Sequence, residues 1–385
     1  MNGKFEKEKE VLRTWVDIDT KATARNLRLL RKEVGPKVRT LAVVKSNAYG
    51  HGLVEWSKTV ERMGMDWLGV DSFVEGETLR KAGVRIPVLV LGYTLPALLL
   101  PARKAGITLT LSDFAQLDAL GALPRSKTPL RVHLKVDTGM HRQGFQLSDK
   151  ERLLPLLSQA LTKGGFVVEG LYTHFAKTKD PHDRDAFHRQ LHEFETWQAA
   201  LLSIGIHPLT HASATGGALL FPKAHFDMVR VGIGMYGLWP SGETQRHRGK
   251  TVTLTPALSW RAMVSEVKVV KKGERIGYDL TELLLRDTTI AIIPVGYWHG
   301  YPRALSGKGR VLIHGCSARV LGRVSMNMIV VDVTDIPRVR VGDVATLIGK
   351  DKKETILAGE LATLSGTTHY EILTRMNPLM KKFYQ

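Results

Sequence analysis

Eight short apolar runs, each followed by a segment with helical periodicity, constrain the fold of this chain most. They lie between residues 41 and 237 and read LAVVK, WLGVD, VLVLG, TLTL, VHLKVD, VEGLYTH, LTHAS and DMVRVGIGMYG. Such alternation is typical of parallel strands joined by crossover helices. About 250 residues suffice for a closed barrel, and no Gly-x-Gly-x-x-Gly pattern follows the first run. The sequence therefore predicts an α/β fold with a (β/α)8 TIM-type barrel rather than an open doubly wound sheet.

The pattern changes after a Pro-, Gly- and charge-rich stretch at residues 238–251, which we interpret as a linker. Beyond it, segments such as SWRAMVSEVKVV and TTIAIIPVGY show little helical periodicity, which indicates a mainly antiparallel β domain. We predict a barrel over residues 14–240 and a β domain over residues 250–385. A strand-like segment at residues 14–19 precedes the repeating part, with Thr20 capping the next helix, so we expect residues 1–19 to pack with the β domain.

Charge and length narrow the class of protein. The 385 residues suit two domains with buried cores. The net charge is +18, but acidic and basic residues are interspersed, as in residues 7–10 and 350–353. We therefore expect neither a nucleic-acid nor a membrane partner. We interpret the excess of positive charge as the source of an electrostatic field that favours anionic ligands.

Cysteine content and hydropathy indicate the compartment. Cys316 is the only cysteine, so no intrachain disulfide can form and no cysteine-rich metal site is indicated. The N-terminal stretch has no apolar core, and no apolar run reaches about 18 residues, the length of a membrane span. We expect a cytoplasmic protein.

Lys45 ends the first apolar run and is followed by the polar, glycine-containing stretch SNAYGHG. An amine at the tip of a buried strand is poorly hydrated, which lowers its pKa and allows it to form a Schiff base with a carbonyl cofactor. The alternative is a lysine that extends from the core into solvent. Tyr49 and the glycines Gly50 and Gly52 offer a phenol and close backbone approach to a ligand.

Other reactive residue types also fall where the predicted strands end, which is the face that carries the chemistry of such barrels. These are Asp137 and Arg142 after the fifth strand, His174 after the sixth, Thr215 past the seventh and Arg230 on the eighth.

The segment AVVKSNAYGHG resembles the pyridoxal 5'-phosphate (PLP) attachment site of bacterial alanine racemases, and the resemblance runs from about Thr14 to Tyr370. It implies a PLP-dependent enzyme that interconverts L-alanine and D-alanine by two-base proton transfer and supplies D-alanine for peptidoglycan. It also implies a homodimer with shared active sites.

The resemblance assigns the catalytic and substrate-binding residues. Lys45 would carry the cofactor and act as one base, and Tyr278 in RIGYDL would be the other, delivered from the second subunit. Arg142 in LKVDTGMHRQGF and Met326 in SMNM would contact the substrate. Without the resemblance, Tyr278 would be interpreted as a turn or packing residue.

The resemblance also implies a set of cofactor-binding residues. Arg230 would face the pyridine nitrogen and only donate to it, which restrains delocalisation into the ring and favours reprotonation. The others are Lys45, Tyr49, His174, Thr215, Gly232, Ile233 and Tyr370. Taken alone, Arg230 reads as a surface charge, Gly216-Gly217 as a turn and His174 as a core residue.

This chain departs from the family pattern at several positions. Trp298 and His299 stand where relatives usually have Ala and Asp, and Ser325 and Asn327 where Cys and Asp are frequent. A different substrate entrance is expected. Lys135 is carbamylated in some relatives, and its default interpretation is a plain strand lysine.

Three other functions remain as alternatives. A non-catalytic PLP carrier would be a single-domain chain, whereas this one has about 140 further residues. A PLP decarboxylase would be expected to carry a substrate-binding cysteine motif in the second domain, which Cys316 does not provide. A nucleic-acid binder would need interleaved aromatic and basic residues.

Overall fold

The computed structural model describes residues 8–182 and 184–385. The chain forms two compact units. The barrel unit comprises residues 23–48 and 53–255. Of the described residues, the β unit comprises residues 8–22, the short segment 49–52 and residues 256–385.

Strand β1 (Thr14–Ile18) leads into helix α1 (Thr20–Val34), as the sequence predicted. The residue that caps the helix differs from the prediction. The Asp19 carboxylate accepts a hydrogen bond from the Ala22 N–H at 2.8 Å, whereas Thr20 is the first helical residue. An aspartate three residues before an unpaired amide satisfies that amide and suits the positive end of the helix dipole.

Eight parallel strands form the barrel, and they correspond to the eight apolar runs. They are β2 (Arg39–Val43), β3 (Trp67–Val70), β4 (Val88–Val90), β5 (Leu109–Leu111), β6 (Leu130–Lys135), β7 (Phe166–Tyr172), β8 (Leu209–His211) and β9 (Met228–Val231). They pair in the orders β4-β3-β2-β9 and β5-β6-β7-β8. Single parallel bridges, Leu89 to Thr108 and Ala214 to Arg230, join the two halves and close the ring. The predicted TIM-type barrel is confirmed.

Helices follow the strands, and polar side chains cap some of them. They are α2 (Leu53–Arg62), α3 (Phe73–Lys81), α4 (Leu99–Ala105), α5 (Phe114–Gly121), α6 (Lys150–Thr162), α7 (Asp185–Ser203), α8 (Thr215–Leu220) and α9 (Gly242–Arg248). The side chains of Ser72 and Asp113 accept from backbone N–H groups in the first turns of α3 and α5. Helix α9 lies within the stretch interpreted as a linker; the Ser241 hydroxyl caps it at the Thr244 N–H, 3.1 Å away.

The β unit is built on a ten-stranded sheet in which the neighbours run antiparallel except for one pair. Its further strands are β10 (Leu258–Met263), β11 (Glu266–Val270), β12 (Arg275–Ile276), β13 (Glu282–Leu283), β14 (Thr288–Ile293), β15 (Arg310–Ile313), β16 (Cys316–Leu321), β17 (Ile329–Asp332), β18 (Val344–Asp351), β19 (Glu354–Ile356) and β20 (Lys382–Tyr384). Strand β1 pairs antiparallel with β10 and parallel with β20. The hairpin of β12 and β13 stands apart from this sheet.

The predicted antiparallel character is confirmed, but the sequence reading did not include two helices near the end, α10 (Ala358–Ser365) and α11 (His369–Thr374). Strand β1 lies in the β unit, whereas residues 1–7 of the segment expected to pack there lie outside the described residues. In the described part of the chain, no helix is both long and apolar enough to cross a bilayer.

Candidate active site

The segment after β2 turns in the left-handed sense. Ser46, Asn47, Ala48 and Tyr49 all have positive φ, between 51° and 57°. Non-glycine residues rarely adopt this conformation, and consecutive ones need external support, since each costs about 1–2 kcal/mol. The sequence predicted only a polar loop here. This turn fixes where the Lys45 side chain leaves the barrel strand.

A glutamate in the first turn of α3 supports the turn. One carboxylate oxygen of Glu75 accepts from the Ser46 N–H at 2.7 Å, and the other accepts from the Asp71 N–H at 2.7 Å. Asp71 in turn accepts from the Lys45 Nζ at 2.9 Å. Sequence reasoning missed both acidic residues, because Ser72 and Glu75 read as an ordinary helix start.

Four cationic side chains of the barrel unit gather around His174. Burial and then the charges of Arg230, Arg142, Lys135 and Lys45 lower the pKa of His174 to about 3. The imidazole is therefore neutral at physiological pH. Such a concentration of positive charge at the ends of the strands is suited to an anionic ligand.

Lys135 lies among the same cations. Burial, and then Arg142, Arg230 and Lys45, lower the pKa of Lys135 to about 7, while Asp137 partly opposes them. Its Nζ donates to the Gln143 Oε1 at 2.7 Å. The Lys135 amine therefore loses its proton far more readily than an ordinary lysine.

The loop that carries Arg142 is held by Asp137. One oxygen of Asp137 accepts from the backbone N–H groups of Gly139, Met140 and His141, each at 3.0 Å. His141 has a positive φ of 53°. A carboxylate that ties three successive amides fixes the path of the loop, so Arg142 leaves it in a defined direction.

Arg230 is buried on β9, and its hydrogen bonds all run through the two terminal nitrogens. They donate to the Nδ1 of His211 at 2.8 Å and of His174 at 3.2 Å. They also donate to three carbonyl oxygens, those of Thr173, His211 and Ala212, at 2.7–3.1 Å. Among the described residues, no partner of this guanidinium is a carboxylate. Burial lowers the pKa of Arg230 to about 10, which still leaves it charged near neutrality.

Thr215 begins α8 and touches the turn that follows β9. Its hydroxyl oxygen accepts from the Gly232 N–H at 3.2 Å and from the Gly234 N–H at 3.4 Å. A Cβ on Gly234 would lie 2.6 Å from the Thr215 methyl carbon, so this close approach requires glycine. Thr215 and Gly232 are thus brought together, with Ile233 next in the chain, and backbone amides with a hydroxyl are groups that can bind a phosphate.

Tyr49 and Tyr370 come together in the β unit, with ring centroids 6.1 Å apart. Burial raises the pKa of Tyr49 to about 12, and burial with the neighbouring Tyr49 raises that of Tyr370. Both phenols therefore stay protonated and act as hydrogen-bond donors near neutral pH. Gly50 follows directly; a Cβ there would lie 2.2 Å from the Leu373 carbonyl oxygen.

Tyr278 and Met326 are exposed on the β unit, at 68% and 55% of their surface. Tyr278 lies between β12 and β13, after Gly277, whose φ is 82°. The next residue, Asp279, forms an ion pair with Arg323 at 2.9 Å. Among the residues that depart from the family pattern, Trp298 is exposed, whereas His299 is buried and accepts from the Gly296 N–H at 3.2 Å.

Comparison with known proteins gives this arrangement a family. The model of the alanine racemase N-terminal domain matches residues 18–240, and that of the alanine racemase C-terminal domain matches residues 257–384. The chain belongs to the alanine racemase family. The predicted resemblance is thereby confirmed over both units.

Individual alanine racemases are similar along their whole length. That of Symbiobacterium thermophilum is 40% identical over 374 residues, which are 96% of this chain and 97% of that protein. That of Desulforamulus reducens is 37% identical over 372 residues, 96% and 98% of the two chains. The crystal structure of alanine racemase from Bacillus anthracis with bound L-Ala-P has a TM-score of 0.90 at 32% identity, covering 97% of this chain and 95% of that one. The structure of alanine racemase from E. faecalis has a TM-score of 0.88 at 33% identity, covering 97% and 98%.

The residues of this alanine racemase family member fit a PLP group. PLP carries a phosphate and a ring nitrogen and reacts with a primary amine. The cations around His174 favour its negative charge, the amides near Thr215 suit the phosphate, and Arg230 Nε donates to no described residue. Within the described residues, no group of three or more His, Cys, Asp or Glu side chains could hold a metal ion.

Proposed function

We propose that this chain is a PLP-dependent alanine racemase that interconverts L-alanine and D-alanine and supplies D-alanine for peptidoglycan. The observation that carries the proposal is the convergence of Lys45, Lys135, Arg142 and Arg230 on one neutral histidine at the strand ends. A site that binds an anionic cofactor and an amino-acid carboxylate needs this charge. We also keep the cytoplasm as its proposed compartment, which agrees with the single cysteine.

The proposed cofactor-binding set keeps the roles expected from the sequence. Lys45 would hold PLP covalently, and Arg230 would donate to its ring nitrogen. The phosphate would be bound by Thr215, the backbone amides of Gly232 and Ile233, and the phenols of Tyr49 and Tyr370, while His174 would pack beside the ring. When bound, PLP supplies an electron sink that acidifies the α-hydrogen of the amino acid.

The protein residues would do the remaining work. Arg142 would bind the substrate carboxylate, and the Met326 backbone would contact the substrate. Because an arginine donates and does not accept, Arg230 would leave the ring nitrogen unprotonated, which limits charge delocalisation and favours reprotonation at the α-carbon. His174, neutral at physiological pH, would add no charge and no competing acid.

Two acid/base groups on opposite faces of the α-carbon are the simplest means of racemisation. We propose the Lys45 amine for one face and the Tyr278 phenol for the other. The pairing of the Lys45 Nζ with Asp71 at 2.9 Å provides a carboxylate that can hold the lysine proton close to its carrier. The near-neutral pKa of Lys135 supports the further proposal that its amine reacts with carbon dioxide to form a carbamate that orients Arg142.

We propose a homodimer in which Tyr278 of one subunit serves Lys45 of the other. Support comes from the surface near Tyr278, where Leu280, Leu283 and Leu285 are exposed at 57%, 42% and 78%. Exposed apolar residues grouped this way mark interaction surfaces, and a two-fold arrangement satisfies both sites. For the domains we propose the ranges expected from the sequence, a barrel over residues 14–240 and a β domain over residues 250–385, except that the strand at residues 14–18 is part of the β domain.

Complementation between two inactive variants tests the assignment. Lys45→Ala should abolish racemisation in both directions, and Tyr278→Phe should retain the bound cofactor and lose activity. Mixed subunits should form heterodimers with one intact site and one doubly defective site. With random exchange in equal amounts, half the dimers are mixed, so about a quarter of wild-type activity should return.

The control is each variant alone, taken through the same exchange step, which should stay inactive. No recovery despite demonstrated exchange would refute the sharing of sites between subunits. Borohydride reduction followed by peptide mapping tests the cofactor independently, because it should leave a stable pyridoxyl group on Lys45. An adduct on another lysine, or none, would refute the assignment of Lys45.

A further inference from the structure

A line of polar side chains runs through the interior of the barrel away from Arg230. His211 accepts from Arg230 at its Nδ1, at 2.8 Å, and its Nε2 lies 2.9 Å from the Nδ1 of His133. The Nε2 of His133 lies 3.6 Å from a carboxylate oxygen of Glu169. The two histidines and Arg230 are fully buried or nearly so, and Glu169 is half-buried.

The arginine fixes where the protons of both imidazoles reside. A guanidinium only donates, so the Nδ1 of His211 must accept and its single proton must be on Nε2. That proton is donated to the Nδ1 of His133, whose own proton is therefore on Nε2, on the side of Glu169 but beyond hydrogen-bond distance of its carboxylate. Burial lowers the pKa of both histidines, so neither takes a second proton near neutral pH.

Glu169 is the charge at the end of this line. Burial opposes its ionisation, but His133, Arg131 and the Thr108 hydroxyl outweigh burial and keep the pKa of Glu169 below its ordinary value. Arg230 contacts only neutral acceptors among the described residues. Both imidazoles point their acceptor nitrogen toward Arg230, so their dipoles are aligned. Through these dipoles the negative charge of Glu169 stabilises the positive charge of the buried guanidinium.

The backbone leaves space for this arrangement. A Cβ on Gly170 would lie 2.6 Å from the Nδ1 of His133, so only glycine fits beside that nitrogen. The competing explanation is that the two histidines only fill space in the core. The His211 ring stacks on Tyr172 with 4.7 Å between ring centroids, and the centroid of His133 lies 5.2 Å from that of Trp67. A packing role does not depend on which ring nitrogen carries the proton.

We propose that Glu169, His133 and His211 are positioning residues for Arg230, and that Glu169 is its remote counter-charge through the two histidines. The inference rests on the proposed function in one respect, namely that Arg230 faces the cofactor ring. By holding the guanidinium charged and oriented, the three residues keep it a donor toward the ring nitrogen.

The first test reads the proton positions directly. Two-bond proton–nitrogen correlation spectra of histidine-labelled protein distinguish the two neutral tautomers from the charged ring, and His133→Gln and His211→Gln assign the signals. We expect both rings to be neutral with the proton on Nε2 from pH 6 to 9, before and after PLP is added. A proton on Nδ1 of either ring, or a charged ring, would overturn the proposal.

The second test measures kinetics. Glu169→Gln keeps an oxygen that can accept from Thr108 but removes the charge. Because Arg230 does not contact alanine, kcat should fall about two- to thirtyfold while KM stays unchanged. Glu77→Gln is the control: it removes the charge of an exposed helix carboxylate that pairs with Lys81 at 2.8 Å, so kcat should not change.

The outcomes separate this proposal from the proposed function. An unchanged kcat in Glu169→Gln, or a fall accompanied by an equal change in KM, would overturn the positioning role even if the tautomers are as expected. A wild-type protein that binds PLP on Lys45 but does not racemise alanine would refute the proposed function, and the histidine spectra would still decide whether the chain of tautomers exists.

Discussion

Replacing Glu75 by glutamine tests how the left-handed turn after Lys45 is maintained. The carboxylate accepts two backbone hydrogen bonds, from Ser46 and Asp71, each at 2.7 Å. A glutamine keeps one acceptor oxygen and presents an amide NH2 to the second donor. One charge-assisted hydrogen bond is thus lost, and the remaining one becomes neutral.

The expected loss follows from these two contacts. A hydrogen bond to a charged acceptor contributes about 1.5–3 kcal/mol. Glu75 is only half-buried, so water replaces part of the interaction, and we expect Glu75→Gln to lower the free energy of unfolding by about 1–2 kcal/mol. For a unit of this size the midpoint of thermal unfolding should fall by roughly 2–8 °C.

The assay is thermal and denaturant unfolding followed by circular dichroism, with Glu77→Gln as the matched control. Glu77 lies on the same helix and forms an exposed pair with Lys81 at 2.8 Å, worth about 0.5 kcal/mol or less. Glu75→Gln should also slow the attachment of added PLP to Lys45, because the turn that directs the amine is less well fixed. Equal midpoints and equal attachment rates for the two variants would show that Glu75 does not support the turn.

Three further predictions follow from individual residues. Because the pKa of Lys135 falls from 10.5 to about 7 on folding, the unfolded chain binds more protons between these values, and stability should rise with pH across that window. Denaturant midpoints measured from pH 7 to 10 should show this rise in the wild type and a smaller one in Lys135→Met. His174, with a pKa of about 3, should show no titration above pH 5 in its nitrogen chemical shifts; a midpoint near 6.5 would contradict its burial among cations. Gly50→Ala should destabilise the β unit, since the new Cβ would lie 2.2 Å from the Leu373 carbonyl oxygen and φ is +81°; an unchanged melting curve would contradict that close approach.

Periodicity was sufficient to predict the barrel because each buried parallel strand must be almost continuously apolar and each crossover helix amphipathic. The same reasoning placed Lys45, His174 and Arg230 at or near strand ends, where the structure has them. Local boundaries were less accurate. The last run extends to residue 237, but β9 ends at Val231, because a turn held by Thr215 follows.

Contacts between residues distant in sequence were not predictable in this way. The residue types at positions 46–49 do not indicate four left-handed residues. The Ser46 N–H in this turn donates to the carboxylate of Glu75, which lies 29 residues further along the chain. His133 and His211 are 78 residues apart in the sequence, and only the pairing of β6 and β8 on either side of β7 brings the Nδ1 of one ring within 2.9 Å of the Nε2 of the other. The roles assigned to Tyr278 and Met326 by resemblance stay predictions.

The assignment of residues 49–52 to the β unit has a consequence for dissecting the protein. The chain passes from one unit to the other near residues 22, 48, 52 and 255, so no single cut separates them. A fragment spanning residues 23–255 would contain Gly50 without Leu373. The loop at residues 49–52 would then lack the backbone carbonyl against which Gly50 packs. Two separately expressed fragments should therefore be assayed together, as a complementing pair. Chimaeras between relatives should exchange residues 49–52 together with the C-terminal region.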